Sequence, residues 1–246
     1  MGEYRTMSNS LTDPTIVVPV NAADPDEPPP GLIELLHPLH IVVLGYYPVP
    51  DQVAPEQLRE EYEDEATAAT ERVADHFVDR GGDVTSLVVF TRDFETTIDR
   101  VADDHDADAI LTAGSMGDAL ERILVPLKGD PNLERIVSFV GDLVSNSDAQ
   151  VQLLHVAGSD EDESHGEFLL RGVADRLTDD GLDPERISWT QQRSATPSAS
   201  IVAAAEEADL VIVGESRPTL RDRILGAVTS EVVEASEHPV LVVRGG

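Results

Sequence analysis

The chain has 246 residues and carries 48 Asp and Glu against 17 Lys and Arg, a formal net charge of −31. That balance excludes nucleic acid and anionic membranes as partners over most of the surface, and the absence of cysteine excludes disulfides, thiolate metal sites and a cysteine nucleophile. Hydrophobic residues still make up 41% and fall in periodic blocks, which excludes a disordered acidic chain.

Residues 1–13 lack periodicity and are expected to be mobile. Thr15 to Val20 (TIVVPV) reads as a buried parallel strand. A Pro- and Asp-rich loop follows over Asn21 to Pro30, and Leu32 to Leu36 supply only a short helix. His40 to Leu44 form a second strand. Pro55 to Asp79 read as a long helix, with Leu58, Tyr62, Ala66, Ala69, Val73 and Phe77 at three- and four-residue intervals. Val84 to Phe90 is a third strand, Glu95 to Asp103 a helix, and Ala109 to Thr112 a fourth strand that stops at Gly114.

The same series then begins again. Arg122 to Leu127 (RILVPL) echoes Thr15 to Val20, with Pro126 in the place of Pro19. A helix over Leu133 to Leu143 and a strand over Val151 to Val156 follow. The acidic stretch Gly158 to Gly166 reads as a loop leading into a helix over Phe168 to Leu177. A strand at Ile187 to Gln191, a helix at Ser198 to Glu206 and a strand at Leu210 to Val213 come next. A repeat offset of about 100 residues means two homologous domains, not a solenoid. Alternating strands and helices imply parallel sheets covered on both faces. The expected division is therefore an N-terminal domain over 14–120 and a C-terminal domain over 121–246.

The last segment, ADLVIVGESRPTLRDRILGAVTSEVVEASEHPVLVVRGG, parses as strand, loop, helix, strand. Gly214 closes its first strand, where a glycine lets backbone approach a ligand. Gly226 opens an amphipathic helix whose free N–H groups suit phosphate oxygens. The first half has no counterpart of Arg217 to Gly246. It lacks the glycine loop, the final helix and the fifth strand, so it reads as a truncated packing partner.

The order VIVGES, GAVTSEVV, HPVLVVR resembles the C-terminus of universal stress proteins of the UspA type. The resemblance implies an α/β fold of two tandem Rossmann-like parallel-sheet domains, related to the adenine-nucleotide α-hydrolases, with the N-terminal one truncated. It also implies a site for ATP or another adenine nucleotide in the C-terminal half, at Lys128, Gly129, Val156, Gly214, Ser216, Arg217, Gly226, Ala227, Val228 and Thr229. The chain departs from the family pattern at four points. Arg217 stands where a second glycine belongs, the loop is one residue short, Ala227 replaces a hydroxyl residue, and Lys128 replaces an Asp that lies near the adenosine in binding relatives. Exchanging a carboxylate for an ammonium removes an acceptor and adds a donor. Lys128 therefore either pairs with phosphate or is a solvated loop residue. Likewise Arg217, Arg221 and Arg223 either clamp phosphate or pair with Glu215, Asp222 and other nearby acids. Val156 matches a position bordering the adenine, and His155 beside it reads as a core histidine.

No catalytic or metal constellation is legible. There is no GxSxG turn, no Walker sequence and no HExxH. The expectation is a regulatory, stress-response module with weak or absent nucleotide binding; a nucleotide sensor and a hydrolase of the wider group are the alternatives. No apolar run approaches the roughly 18 residues of a membrane span and no signal-peptide pattern is present, so a cytoplasmic protein is expected, with any regulatory partner being another protein. Residues 239–244 (PVLVVR) would leave an apolar strand at a sheet edge, a liability unless covered. A homodimer through 239–244 is expected to cover it, the competing outcome being the N-terminal half folding over that edge.

The spread of acidic residues through every segment is similar to halophilic archaeal proteins. Self-repulsion is screened when the Debye length falls to about 3 Å at 1 M salt. Thermal unfolding at about 0.1 M and about 2 M salt is therefore expected to show a higher melting temperature at the higher concentration. A flat or falling value would refute the high-salt reading.

Overall fold

In the computed structural model, residues 14–112, 114, 119–129, 132–215 and 227–245 are described. The elements run β1 (Thr15–Asn21), α1 (Pro30–Leu36), β2 (His40–Pro48), α2 (Pro55–Val78), β3 (Asp83–Thr91), α3 (Phe94–Asp104) and β4 (Ala109–Leu111) in the first half. The second half supplies β5 (Arg122–Pro126), α4 (Leu133–Val144), β6 (Gln150–Ala157), α5 (Asp160–Asp179), β7 (Ile187–Arg193), α6 (Pro197–Ala205), β8 (Leu210–Gly214), α7 (Ala227–Ala235) and β9 (Val240–Val243). Among the described residues the nine strands belong to one sheet, in the order β3-β2-β1-β4-β9-β8-β5-β6-β7. Every neighbouring pair is parallel except β4 with β9, which is antiparallel.

The inner strands are buried on both faces, as their unbroken apolar runs require, while the edge strands β3 and β7 are largely open. In β1, Ile16, Val18 and Val20 enter one apolar layer while Val17 enters the other. In β5, Ile123 and Val125 divide from Leu124 in the same way. The two faces differ in continuity. The face covered by α1, α2, α4 and α5 holds a core that runs from Ile41 and Phe77 through Ala109, Leu111, Leu241 and Val243 to Leu153 and Leu177, with a small cluster of Ala22, Val49, Ala66 and Phe90 under the start of α2. The opposite face holds separate cores, one under α3 and one under α6 and α7.

The antiparallel seam corrects one expectation. Residues 239–244 are not an open edge waiting for a second copy, because β4 takes that edge with Ala109 opposite Val243, Ile110 opposite Val242 and Leu111 opposite Leu241. A three-residue strand suffices because its flanks continue the pairing. Thr112 N–H donates to the Val240 carbonyl at 2.8 Å, and Val240 N–H donates to the Thr112 hydroxyl at 3.1 Å. At the other end Arg244 N–H donates to the Asp108 carbonyl at 2.8 Å. The homodimer through 239–244 therefore has no free strand to form on. The first half covers it instead.

Helix α5 corrects a second expectation. The stretch Gly158 to Gly166 is not a loop. Ser159 caps the helix by accepting from Asp162 N–H at 3.2 Å, and the Asp162 carboxylate accepts from Gly158 N–H at 2.8 Å. Acidic side chains in a first turn suit the positive end of the helix dipole. Among the described residues no helix is long and apolar enough to cross a membrane.

Gly114 packs so tightly on the chain entering β9 that an added Cβ would fall on the backbone of His238 and Pro239, which cannot rotate away. Gly129 has nothing within 4 Å of such a Cβ. Gly114→Ala is thus expected to cost about 1–3 kcal/mol in denaturant unfolding as overpacking, and Gly129→Ala is expected to leave stability within about 0.5 kcal/mol. Equal effects would show that the seam does not depend on this approach.

Candidate functional site

In the second half the chain leaves β5 toward β6 and β7 on one side and returns to β8 and β9 on the other. The carboxyl ends of β5 and β8 therefore bound a switch-point crevice, where open parallel sheets hold ligands. Lys128 and Gly129, just past β5, are both exposed there. Gly214 ends β8, and Ala227, Val228 and Thr229 form the first turn of α7. Ser216, Arg217 and Gly226, together with Arg221 and Arg223, lie outside the described residues. The Arg-rich loop is thus not part of the geometry below.

Several groups at this crevice already have partners within the chain. The Thr229 hydroxyl is buried and donates to the Gly214 carbonyl at 3.1 Å. The space over Gly214 is taken by the Ile136 side chain of α4, onto whose terminal methyl an added Cβ would fall. Asn132, at the start of α4, donates from Nδ2 to the Glu215 carbonyl at 2.9 Å. The Glu215 N–H donates to Val243 at 2.7 Å, and its carboxylate accepts from Gly245 N–H at 2.9 Å. Gly214 therefore serves close helix packing here, and Thr229 ties α7 back to β8.

Val156 lies near the carboxyl end of β6, in the same strand-end region as the end of β5, its side chain turned to one face of the sheet. It sits in the apolar layer with Val213, Val232 and Ile201, under α6 and α7. His155 points to the opposite face, as alternation along a strand demands. It is 3% exposed, a core histidine as the sequence suggests. Its Nδ1 donates to the Leu127 carbonyl at 3.0 Å, while its Nε2 has no hydrogen bond and lies 3.5 Å from the Asp162 carboxylate. Lys128, Gly129 and His155 together border an open cavity of about 900 Å³ between α4 and α5. Among the described residues no group of His, Asp and Glu is arranged to hold a metal ion.

Sequence reasoning missed Asn132, Ile136 and Asp162. Only Asp162 left a signal, since Ser159 followed three residues later by an acid is a helix-start pattern. A further group was missed on the first half. Asp99 of α3 faces the end of the second half and is half-buried. Burial raises its pKa above the ordinary carboxylate range; Arg244 opposes the rise, while Glu215, Asp103 and Glu95 add to it.

A mostly parallel α/β sheet with helices on both faces and a crevice at a strand-order reversal defines a Rossmann-like fold. The description of the universal stress protein family matches residues 119–244, just over half of the chain, and the chain belongs to that family. Along nearly its whole length it is similar in structure to a universal stress protein from Archaeoglobus fulgidus DSM 4304, at 15% identity and a TM-score of 0.66, covering 96% of this chain and 100% of that one. It is likewise similar to a functionally unknown protein from Pseudomonas aeruginosa PAO1, at 14% identity and a TM-score of 0.60, covering 95% of this chain and 93% of that one. At these identities the likeness is one of fold. No curated protein matches the sequence.

The Asp99 environment sets a pH dependence. With its folded pKa above the unfolded value of about 3.9, the native state holds more protons than the unfolded state in the interval between the two. Stability falls as pH rises through that interval and stays lowered above it. Asp99→Asn is therefore expected to raise the melting temperature at about pH 7 and to give no gain below about pH 3.5. A gain of equal size at both pH values would show that the effect is not one of ionisation.

Proposed function

We propose that this chain is a tandem universal stress protein, a stress-response regulatory module whose own nucleotide binding is weak or absent. In this reading residues 121–246 form the complete domain and residues 14–120 a truncated one that packs against it, following the short segment 1–13. The observation that carries the reading is the internal use of the crevice. The Thr229 hydroxyl is bonded to the Gly214 carbonyl, and Ile136 fills the space over Gly214. A phosphate would need that space and that hydroxyl. Lys128, standing where binding relatives carry an Asp, removes an acceptor for the ribose or adenine as well. The composition supports a cytoplasm of high salt, and any partner is taken to be another protein.

A second reading, a sensor of ATP or another adenine nucleotide, is favoured by one observation. Lys128 and Gly129 are exposed beside the crevice and free to meet a phosphate. Titration calorimetry with ATP, ADP and AMP in molar salt separates the two. The regulatory reading expects no saturable heat, or dissociation constants weaker than about 0.1 mM. Tighter binding that Gly214→Val abolishes would replace it with the sensor. Tight binding indifferent to Gly214→Val would place the nucleotide elsewhere and overturn both.

A further inference from the structure

The cavity between α4 and α5 is walled by Leu133 and Val137 from one helix and Leu169 and Val173 from the other. It lies on the face of the sheet opposite α7 and shares only Lys128 and Gly129 with the crevice residues above. Its volume of about 900 Å³ falls within the range of small-molecule sites.

Three features of its lining have no role in packing. Gly172 sits inside α5, where glycine is the poorest helix former after proline, and an added Cβ there would meet nothing within 4 Å. Gly166 in the same helix has a reason, since an added Cβ would fall on the His155 ring. Gly172 has none except that it leaves the groove wide. Phe168 stands at the rim with 82% of its surface exposed, though the chain is poor in aromatic residues. Lys128 is the only lysine, and among the described residues it makes no hydrogen bond or ion pair, in a chain with 48 carboxylates.

The other charges at the cavity are answered. Arg176 donates to Asp180 at 2.8 Å and is attracted by Glu134 across the groove. The Asp162 carboxylate holds Gly158 N–H. The buried Nε2 of His155 makes no hydrogen bond, with the Asp162 carboxylate 3.5 Å away. With Nδ1 donating to a carbonyl, that nitrogen in the neutral ring is an acceptor.

We propose that this cavity binds a small amphipathic anion. An aromatic body lies along Leu133, Val137, Leu169 and Val173, a carboxylate or sulfonate meets Lys128, and a neighbouring N–H or O–H meets His155. The site does not depend on the nucleotide reading, and either can fail without the other.

The test uses 8-anilinonaphthalene-1-sulfonate, which carries an aromatic body, an anion and an N–H, beside the uncharged N-phenyl-1-naphthylamine. Both are titrated by fluorescence at the lowest salt at which the protein melts cooperatively. The native protein is expected to bind the sulfonate saturably at one site. Gly172→Leu fills the groove while improving helix propensity, so circular dichroism will report a folded protein, and binding of both probes is expected to weaken at least about tenfold. Lys128→Gln is expected to weaken the sulfonate about two- to fivefold, the scale of an exposed ion pair, and to leave the uncharged probe unchanged. Absence of saturable binding by the native protein, or undiminished binding by folded Gly172→Leu, overturns the site. A Lys128→Gln variant that affects both probes alike, or neither, overturns the anion.

Discussion

The arrangement of this molecule depends on the antiparallel contact between β4 and β9. Either half alone would present a strand with an unpaired backbone and an apolar face. In the first half this is Ala109–Leu111, in the second Val240–Val243, whose four residues are all buried. Joining them removes both edges at once, and an edge of this kind is otherwise an open template for aggregation. The pairing also fixes direction. Because the two strands run oppositely, the carboxyl ends of the second half's strands lie beside the amino ends of the first half's. That is why Asp99 and Asp103 of α3 come to face Glu215 and Arg244.

Asp108 shows how much of the seam one residue can organise. Its carboxylate accepts from Thr15 N–H and from Arg135 of α4, both at 2.9 Å, and its carbonyl accepts from Arg244 N–H. It thus links β1, the helix that begins the second half's core and the end of β9. The pair with Arg135 is largely shielded from water, so added salt screens it far less than an exposed pair. The continuous apolar layer on this face follows, since Ala109, Leu111, Leu241 and Val243 bridge the two halves without a polar break.

The strands were readable because burial on both faces forces unbroken runs such as TIVVPV and LVIV, which few other environments tolerate. The start of α5 was hidden by composition. In a chain where acids occur everywhere, an acidic helix N-terminus and an acidic loop look alike, and only the Ser159–Asp162 spacing separates them. The seam was hidden for a different reason. A short strand such as Ala109–Leu111 announces that it is apolar but not what it will pair with, and the missing fifth strand pointed toward a second copy. The crevice was half legible. Gly214 stands out in sequence as a glycine after a buried strand, but the reason for it on the structure is Ile136, 78 residues away by number and invisible to local pattern. The loop residues Ser216, Arg217 and Gly226 lie outside the described part of the chain, so the resemblance alone speaks for them.

The placement of the scarce cations ties these points together. Arg135 and Arg244 join the halves, Arg80 pins α2 to Glu34 of α1, and Arg186 donates to the carbonyls of Val144 and Ala149 where α4 ends and β6 begins. Arg186 and Arg244 each hold one element to another through more than one bond at fixed angles, which a guanidinium does better than an ammonium. In a protein whose exposed ion pairs are weak and further screened by salt, cations are most useful where partners are partly buried and geometry is shared among several acceptors. Lys128 meets neither condition. Its charge has no partner among the described residues, and it stands beside a cavity that the fold does not fill.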